Sequence, residues 1–160
     1  MDRRILLATT AGAGLLAALR WLRGTEARAD DHFEVEMSED EWKKKLTPAQ
    51  FQILRKHGTE PPGSSPLNKE HRKGTFACAG CDLPLFASET KFESGTGWPS
   101  FYAPLPNALA TKTDYKLIVP RTEYHCARCE GHQGHVFDDG PAPTGKRYCN
   151  NGLALRFVPA

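Results

Sequence analysis

The chain lacks any excess of charge of one sign. Its 160 residues hold 21 Lys and Arg against 19 Asp and Glu, a formal sum of +2. No basic tract therefore points to a nucleic-acid partner. Cysteine is scarce, five in all, which excludes a disulfide-dense miniprotein. Five is also odd, so the cysteines cannot all pair. Repeats are missing beyond two Cys-x-x-Cys pairs, and from Gly74 onward no helix-period stretch exceeds two turns. The hydrophobic fraction is 39% and the charged fraction 25%. That supports one domain with a core, in a chain too short for two ordinary domains. Fourteen glycines and twelve prolines imply many turns.

The N-terminus reads as an address. Arg3-Arg4 precedes a charge-free apolar stretch over residues 5–19, and Ala27-Arg28-Ala29 closes the segment. A charged start, a short apolar run and a small-x-small stop are the parts of a secretory signal. The run falls short of the about twenty residues a bilayer-spanning helix needs, and the arginine pair resembles a twin-arginine export signal. The expectation is a signal over residues 1–29 and a periplasmic protein not stably inserted in the membrane after cleavage. The alternative is an uncleaved N-terminal anchor. Residues 1–29 hold five arginines against Asp2 and Glu26, so the remaining chain has a net charge of −1.

Residues 30–37 read as a flexible lead and 38–160 as a single domain. Ser38-Glu-Asp-Glu41 and Thr47-Pro48-Ala49-Gln50 are capping patterns that open two short helices. Trp42, Leu46, Phe51 and Leu54 supply their buried faces, with Gly58 as the stop, and the pair is expected to be scaffold. Residues 59–74 read as an irregular loop. Beyond it, strands are expected over residues 75–78, 83–86, 115–119, 122–126, 135–137 and 153–158. The fold class is mainly β and antiparallel, with helices only at the N-terminal edge.

Cys78-Ala-Gly-Cys81 and Cys126-Ala-Arg-Cys129 each place two sulfurs on a tight turn. Together they offer a tetrahedral four-sulfur shell, the closed geometry of structural zinc, one ion per chain. A redox dithiol or a disulfide is the alternative for either pair alone. Cys149 is then left over, in Gly145-Lys-Arg-Tyr-Cys149-Asn-Asn-Gly152. A strand beginning early puts Arg147, Cys149 and Asn151 on one face, where the guanidinium favours the thiolate. The bland alternative is a buried structural cysteine. Gly131-His132-Gln-Gly-His135 supplies two imidazoles suited to proton transfer near neutral pH; metal ligation is their alternative role. Gly95-Thr-Gly-Trp98-Pro-Ser-Phe-Tyr102 offers aromatics for a pocket wall, or for the core in the case of Phe101 and Tyr102.

Three runs, Ser94 to Phe101, Gly131 to Pro141 and Pro143 to Asn151, resemble the methionine-(R)-sulfoxide reductases of the B type. The knuckles and His57-Gly-Thr-Glu-Pro-Pro62 also look like that family, so the resemblance covers residues 38–159. It implies two antiparallel sheets, a structural zinc distant from the site, and reduction of methionine-(R)-sulfoxide in oxidised proteins. It implies Cys149 as nucleophile, with His132 and His135 orienting and protonating the sulfoxide oxygen. Arg147 and Asn151 would hold the thiolate and its water network, and Trp98 and Phe137 would form the apolar wall. Many members carry a resolving cysteine at the position of Thr96. Here an external thiol, from a thioredoxin-like donor, is expected to regenerate a monomeric enzyme, the alternative being a knuckle cysteine that leaves the metal. Asn150 and Gly152 also depart from the family pattern. The competing expectations are a zinc-ribbon binding module without catalysis and a disulfide-handling oxidoreductase using the knuckles.

Overall fold

Two capped helices lead into two antiparallel sheets. The computed structural model describes residues 32–160, so the segment read as an export signal lies outside the described residues. The Ser38 side chain accepts the Glu41 N–H while the Glu41 carboxylate takes the Ser38 N–H at 2.8 Å, and α1 runs Glu39–Lys45. Thr47 and Gln50 repeat the reciprocal cap for α2, Pro48–Lys56, with proline in its first turn. Trp42, Phe51, Ile53 and Leu54 are buried. The stop differs from expectation. His57, not Gly58, takes the left-handed conformation (φ 53°), and the Gly58 N–H donates to the Gln52 carbonyl at 2.9 Å. The helix pair is therefore more than scaffold, because this turn delivers the His57 side chain to Glu123.

One sheet has the order β2-β1-β9, from β1 (Gly74–Cys78), β2 (Pro84–Ala87) and β9 (Leu155–Pro159). The other has the order β3-β4-β8-β7-β6-β5. It is built from β3 (Lys91–Phe92), β4 (Ser100–Phe101), β5 (Leu109–Asp114), β6 (Arg121–Cys126), β7 (His132–Phe137) and β8 (Arg147–Asn150). Every pairing is antiparallel. Aromatics join the sheets. Phe86 of β2 stacks on Phe101 of β4 at 4.2 Å between ring centroids, and Phe76 of β1 meets Phe101 edge-on at 4.9 Å. All three rings are fully buried. Burial of each stabilises the fold by about 1.5–3 kcal/mol before ordering costs. The mainly β, two-sheet expectation holds.

Several elements lie elsewhere than expected. Residues 115–119 are not a strand: Tyr115, Leu117, Ile118 and Val119 sit exposed in the connection between β5 and β6. The strand is Leu109–Asp114, and its ladder ends where Asp114 pairs with Arg121. A β-rich composition marked the segment, but no neighbouring strand is there to pair it. The last strand begins at Leu155, because Gly152–Ala154 forms a single 3₁₀ turn. Residues 32–37, read as a flexible lead, carry contacts to the body. The Val35 N–H donates to the Arg128 carbonyl at 2.9 Å, and the Phe33 ring meets His125 edge-on at 5.8 Å.

Candidate active site and metal centre

The four knuckle sulfurs converge. Cys78 and Cys129 lie 3.8 Å apart at Sγ, Cys81 and Cys126 lie 3.5 Å apart, and all four fall within 4.8 Å of one another. Zinc–sulfur bonds of ~2.3 Å put tetrahedral sulfurs ~3.8 Å apart, whereas a disulfide needs ~2.05 Å. The cluster fits a tetrahedral metal and leaves all five cysteines free of disulfides. The two turns share one design. The residue after each second cysteine, Asp82 or Glu130, takes positive φ (62° and 59°) and returns its N–H to the Cys78 or Cys126 carbonyl. The Gly80 N–H and the Gln133 amide point at the Cys78 sulfur, each at 3.4 Å, as donors to a metal thiolate do.

Cys149 stands apart, in the middle of the larger sheet. Across β7–β8 its direct partner is His135, and across β4–β8 it is Ser100. Gly134 must be glycine here, since an added Cβ would collide with the Cys149 carbonyl oxygen. Strand alternation puts Arg147 on the Cys149 face and Phe137 on the His135 face. Arg147 is held in a fork: Nε and Nη2 each donate to Asp139 at 2.8 Å, and the guanidinium lies 4.4 Å over the Phe137 ring. Strand β8 ends at Asn150, so alternation does not carry to Asn151, yet Asn151 lines the same cavity as Cys149. Its amide is committed to backbone, accepting the Glu60 N–H and donating to the Gln133 carbonyl, both at 3.0 Å.

His132 and His135 are three residues apart on a strand, which ordinarily sets side chains on opposite faces. The pairing of β7 with β6 shifts register between Tyr124 and His125, and this bulge re-aims His132. The two rings come within 5.6 Å, centroid to centroid. Each is held by a carboxylate that the sequence reading missed. His132 Nδ1 donates to Glu123 at 2.8 Å, and His57 Nδ1 donates to the same oxygen at 3.0 Å. His135 Nε2 donates to Asp114 at 2.7 Å. Carboxylates accept only, so the bonds fix which nitrogen of each ring carries its proton. Burial opposes ionisation of Glu123, but the His132 and His57 hydrogen bonds outweigh it and hold that carboxyl below the usual range. The Lys116 N–H, with His135 and Arg121, does the same for Asp114 against a smaller burial penalty. Glu123 was discoverable as an acid inside an expected strand. Asp114 was hidden because the strand was expected over 115–119, just beyond it.

Trp98, Thr59, Arg121, His135, Phe137, Cys149 and Asn151 line a cavity of about 130 Å³. Glu60 organises its rim. Its carbonyl accepts Trp98 Nε1 at 3.1 Å, and its buried carboxylate accepts the Gly152 and Leu153 N–H groups. Deleting that carboxylate would leave two N–H groups without acceptors, at about 1–3 kcal/mol each.

Burial pushes the Cys149 thiol above its ordinary value of 9.0, opposed first by the Arg147 charge and then by the polar groups of Thr96 and Arg147 near the sulfur. Desolvation thus outweighs the pull of one guanidinium, whose charge is shared with Asp139. Alkylation of Cys149 by iodoacetamide in the substrate-free protein should rise with pH through a midpoint above 9.0. Arg147→Met should move that midpoint higher still. A midpoint below 9.0, or a downward move in the variant, contradicts this balance.

Residues 46–159 match the SelR domain family. The chain is 54% identical over 124 residues to the peptide methionine sulfoxide reductase MsrB of Methanosarcina barkeri, covering 77% of this chain and 87% of that one. It is 50% identical over 127 residues to the protein of that name from Leptospira interrogans, covering 79% and 97%. The relative of that name from Agrobacterium fabrum is 50% identical over 127 residues, covering 79% and 94%. A matched domain across most of the chain, around a free cysteine opposite the carboxylate-held His135, excludes a non-catalytic zinc module. The chain belongs to the B-type peptide methionine sulfoxide reductases and is an oxidoreductase acting on methionine sulfoxide.

Proposed function

We propose that the enzyme reduces methionine-(R)-sulfoxide in oxidised proteins through Cys149. The observation that carries this reading is the placement of the one cysteine outside the metal cluster directly opposite His135, in a cavity walled by Trp98 and Phe137. A sulfoxide is a polar head on an apolar stem, so it needs an aromatic wall and a proton donor together. The substrate's ε-methyl group rests on Trp98, with Phe137 completing the wall.

Cys149 gives its proton to His135 as its sulfur attacks the sulfoxide sulfur. The same proton, with His132 beside it, goes to the sulfoxide oxygen. Asp114 and Glu123 hold the two rings and stabilise the imidazolium that forms in passing. A sulfur–sulfur bond forms and then breaks as the oxygen passes to Cys149. Two electrons reduce the sulfoxide to a thioether, and Cys149 becomes a sulfenic acid. Arg147 and Thr96 steady the sulfur. Asn151 acts as a positioning residue through Glu60 and Gln133.

Thr96 occupies the place from which a thiol would resolve the sulfenic acid, and it has none. An external thiol therefore attacks, releasing water and leaving a mixed disulfide, and a second thiol frees Cys149. A thioredoxin-like protein is the donor class this chemistry suits. We read the metal as zinc, one per chain, held by Cys78, Cys81, Cys126 and Cys129; when bound it ties the two knuckles and takes no part in the redox step. Residues 1–29 support an exported, periplasmic location, through Arg3-Arg4, the apolar run and Ala27-Arg-Ala29.

With dithiothreitol as reductant, the protein should reduce dabsylated methionine-(R)-sulfoxide and leave the S epimer untouched, and Cys149→Ser should be inert. Equal turnover by that variant would reject the mechanism. Metal analysis should return about one zinc per chain, and its removal by a chelator should lower Tm by several degrees. A metal-free protein of unchanged Tm contradicts the zinc assignment.

A further inference from the structure

The β5–β6 hairpin ends in an apolar tip that nothing in the described fold covers. Tyr115 is 75% exposed, Leu117 57%, Ile118 102% and Val119 71%. Four of the six large exposed hydrophobic residues among the described ones fall in this one connection. Single exposed apolar residues are ordinary, but a contiguous group marks an interaction site. Expected as a strand, the segment has no pairing role, so its apolar character serves neither the core nor a ladder.

Its base is part of the active site. The last ladder pair is Asp114 with Arg121, joined by a 2.7 Å ion pair. Asp114 holds His135, and Arg121 lines the Cys149 cavity. The tip is also stitched to the opposite rim. The Lys116 N–H donates to Asp114 at 2.8 Å, while Lys116 Nζ donates to the His57 carbonyl at 3.2 Å, two residues before the cavity-lining Thr59. The cavity beside the tip has a volume of about 130 Å³. The tip therefore continues the wall of the cavity that a substrate's methionine sulfoxide would enter.

We propose that residues 115–120 form a docking lip for the substrate polypeptide, selecting methionine sulfoxides flanked by apolar residues. This rests on the reading of Cys149 and its cavity as the reaction centre. Continuity with that cavity favours the substrate chain as occupant. Covering Ile118 and its neighbours removes apolar surface from water and tightens binding of the flanking residues alone. The lip therefore bears on KM for peptides, and on nothing that a free amino-acid derivative meets.

The test compares the full chain with its Leu117→Ser/Ile118→Ser/Val119→Ser variant, using dithiothreitol as reductant. The exposure of these side chains lets the substitutions leave the fold intact. One substrate is a synthetic peptide with methionine-(R)-sulfoxide between Leu and Phe residues; the other is N-acetyl-methionine-(R)-sulfoxide amide. The expected result is a roughly tenfold fall in kcat/KM for the peptide, carried by KM and equivalent to about 1.4 kcal/mol, with the small substrate unchanged. An unchanged peptide rate overturns the proposal, as does an equal loss on both substrates, which would mean that the tip supports the cavity. A loss seen only when thioredoxin replaces dithiothreitol makes the tip a reductant surface and overturns it too. So does a wild-type dimer that the substitutions dissolve. Wild-type protein inert on the small substrate instead sinks the Cys149 reading itself.

Discussion

The register of β7 on β8 is the constraint on which this site depends. Side chains alternate along a strand, so a slip of one residue would turn Cys149 away from His135 and bury it among the aromatics. Several contacts fix the register. Gly134 gives way to the Cys149 carbonyl, where any side chain would collide. Tyr124 donates its hydroxyl to Asn150 at 2.8 Å, and the Asn150 amide donates to the Asn151 carbonyl at 2.8 Å and to Gln133 at 3.3 Å. This buried network is fully paired, which makes it specifying rather than costly. The Asn150 N–H is taken by the Pro99 carbonyl on the other side, at 2.9 Å.

Around that pair the molecule arranges two polar systems of different purpose. The knuckles tie the β1–β2 turn to the β6–β7 turn, stapling the smaller sheet to the larger. Gln133 touches both systems, donating to the Cys78 sulfur and accepting from Asn150 beside Cys149. Glu60 ties the rim together, binding the turn after Cys149 while its carbonyl holds Trp98. Burial raises the Glu60 carboxyl above its usual value against these two N–H bonds, a cost the fold bears to order the loop.

Much of this was legible in the chain. Helix caps are local, so Ser38 and Thr47 announced α1 and α2, and the cysteine spacing announced a metal shell. The odd fifth cysteine singled out Cys149, and the three runs around Trp98, His132 and Cys149 carried the family resemblance. The misses share a cause: they are long-range. Asp114, Glu123 and Glu60 act on residues 21, 9 and 91–93 positions away, and no local pattern encodes such pairings. The apolar run at 117–119 looked like a strand because β-propensity describes a side chain suited to a half-buried surface, not the presence of a partner strand. His57 was missed because its left-handed cap, usually a glycine's place, turned it from the helix face toward Glu123. Burial of Cys149 is a property of the whole fold and opposes ionisation of its thiol, while Arg147, which favours it, was visible two residues away.

In the proposed mechanism Cys149 takes the sulfoxide's oxygen and, with no cysteine at Thr96, keeps it until an outside thiol arrives. The most direct measurement is a single turnover without reductant, followed by intact and peptide mass spectrometry. One equivalent of methionine should be released per chain, with a gain of about 16 Da on the Cys149 peptide alone, the mass of a sulfenic acid's oxygen. Methionine release accompanied by a loss of about 2 Da, an internal disulfide, or by the added oxygen on a knuckle cysteine would contradict it.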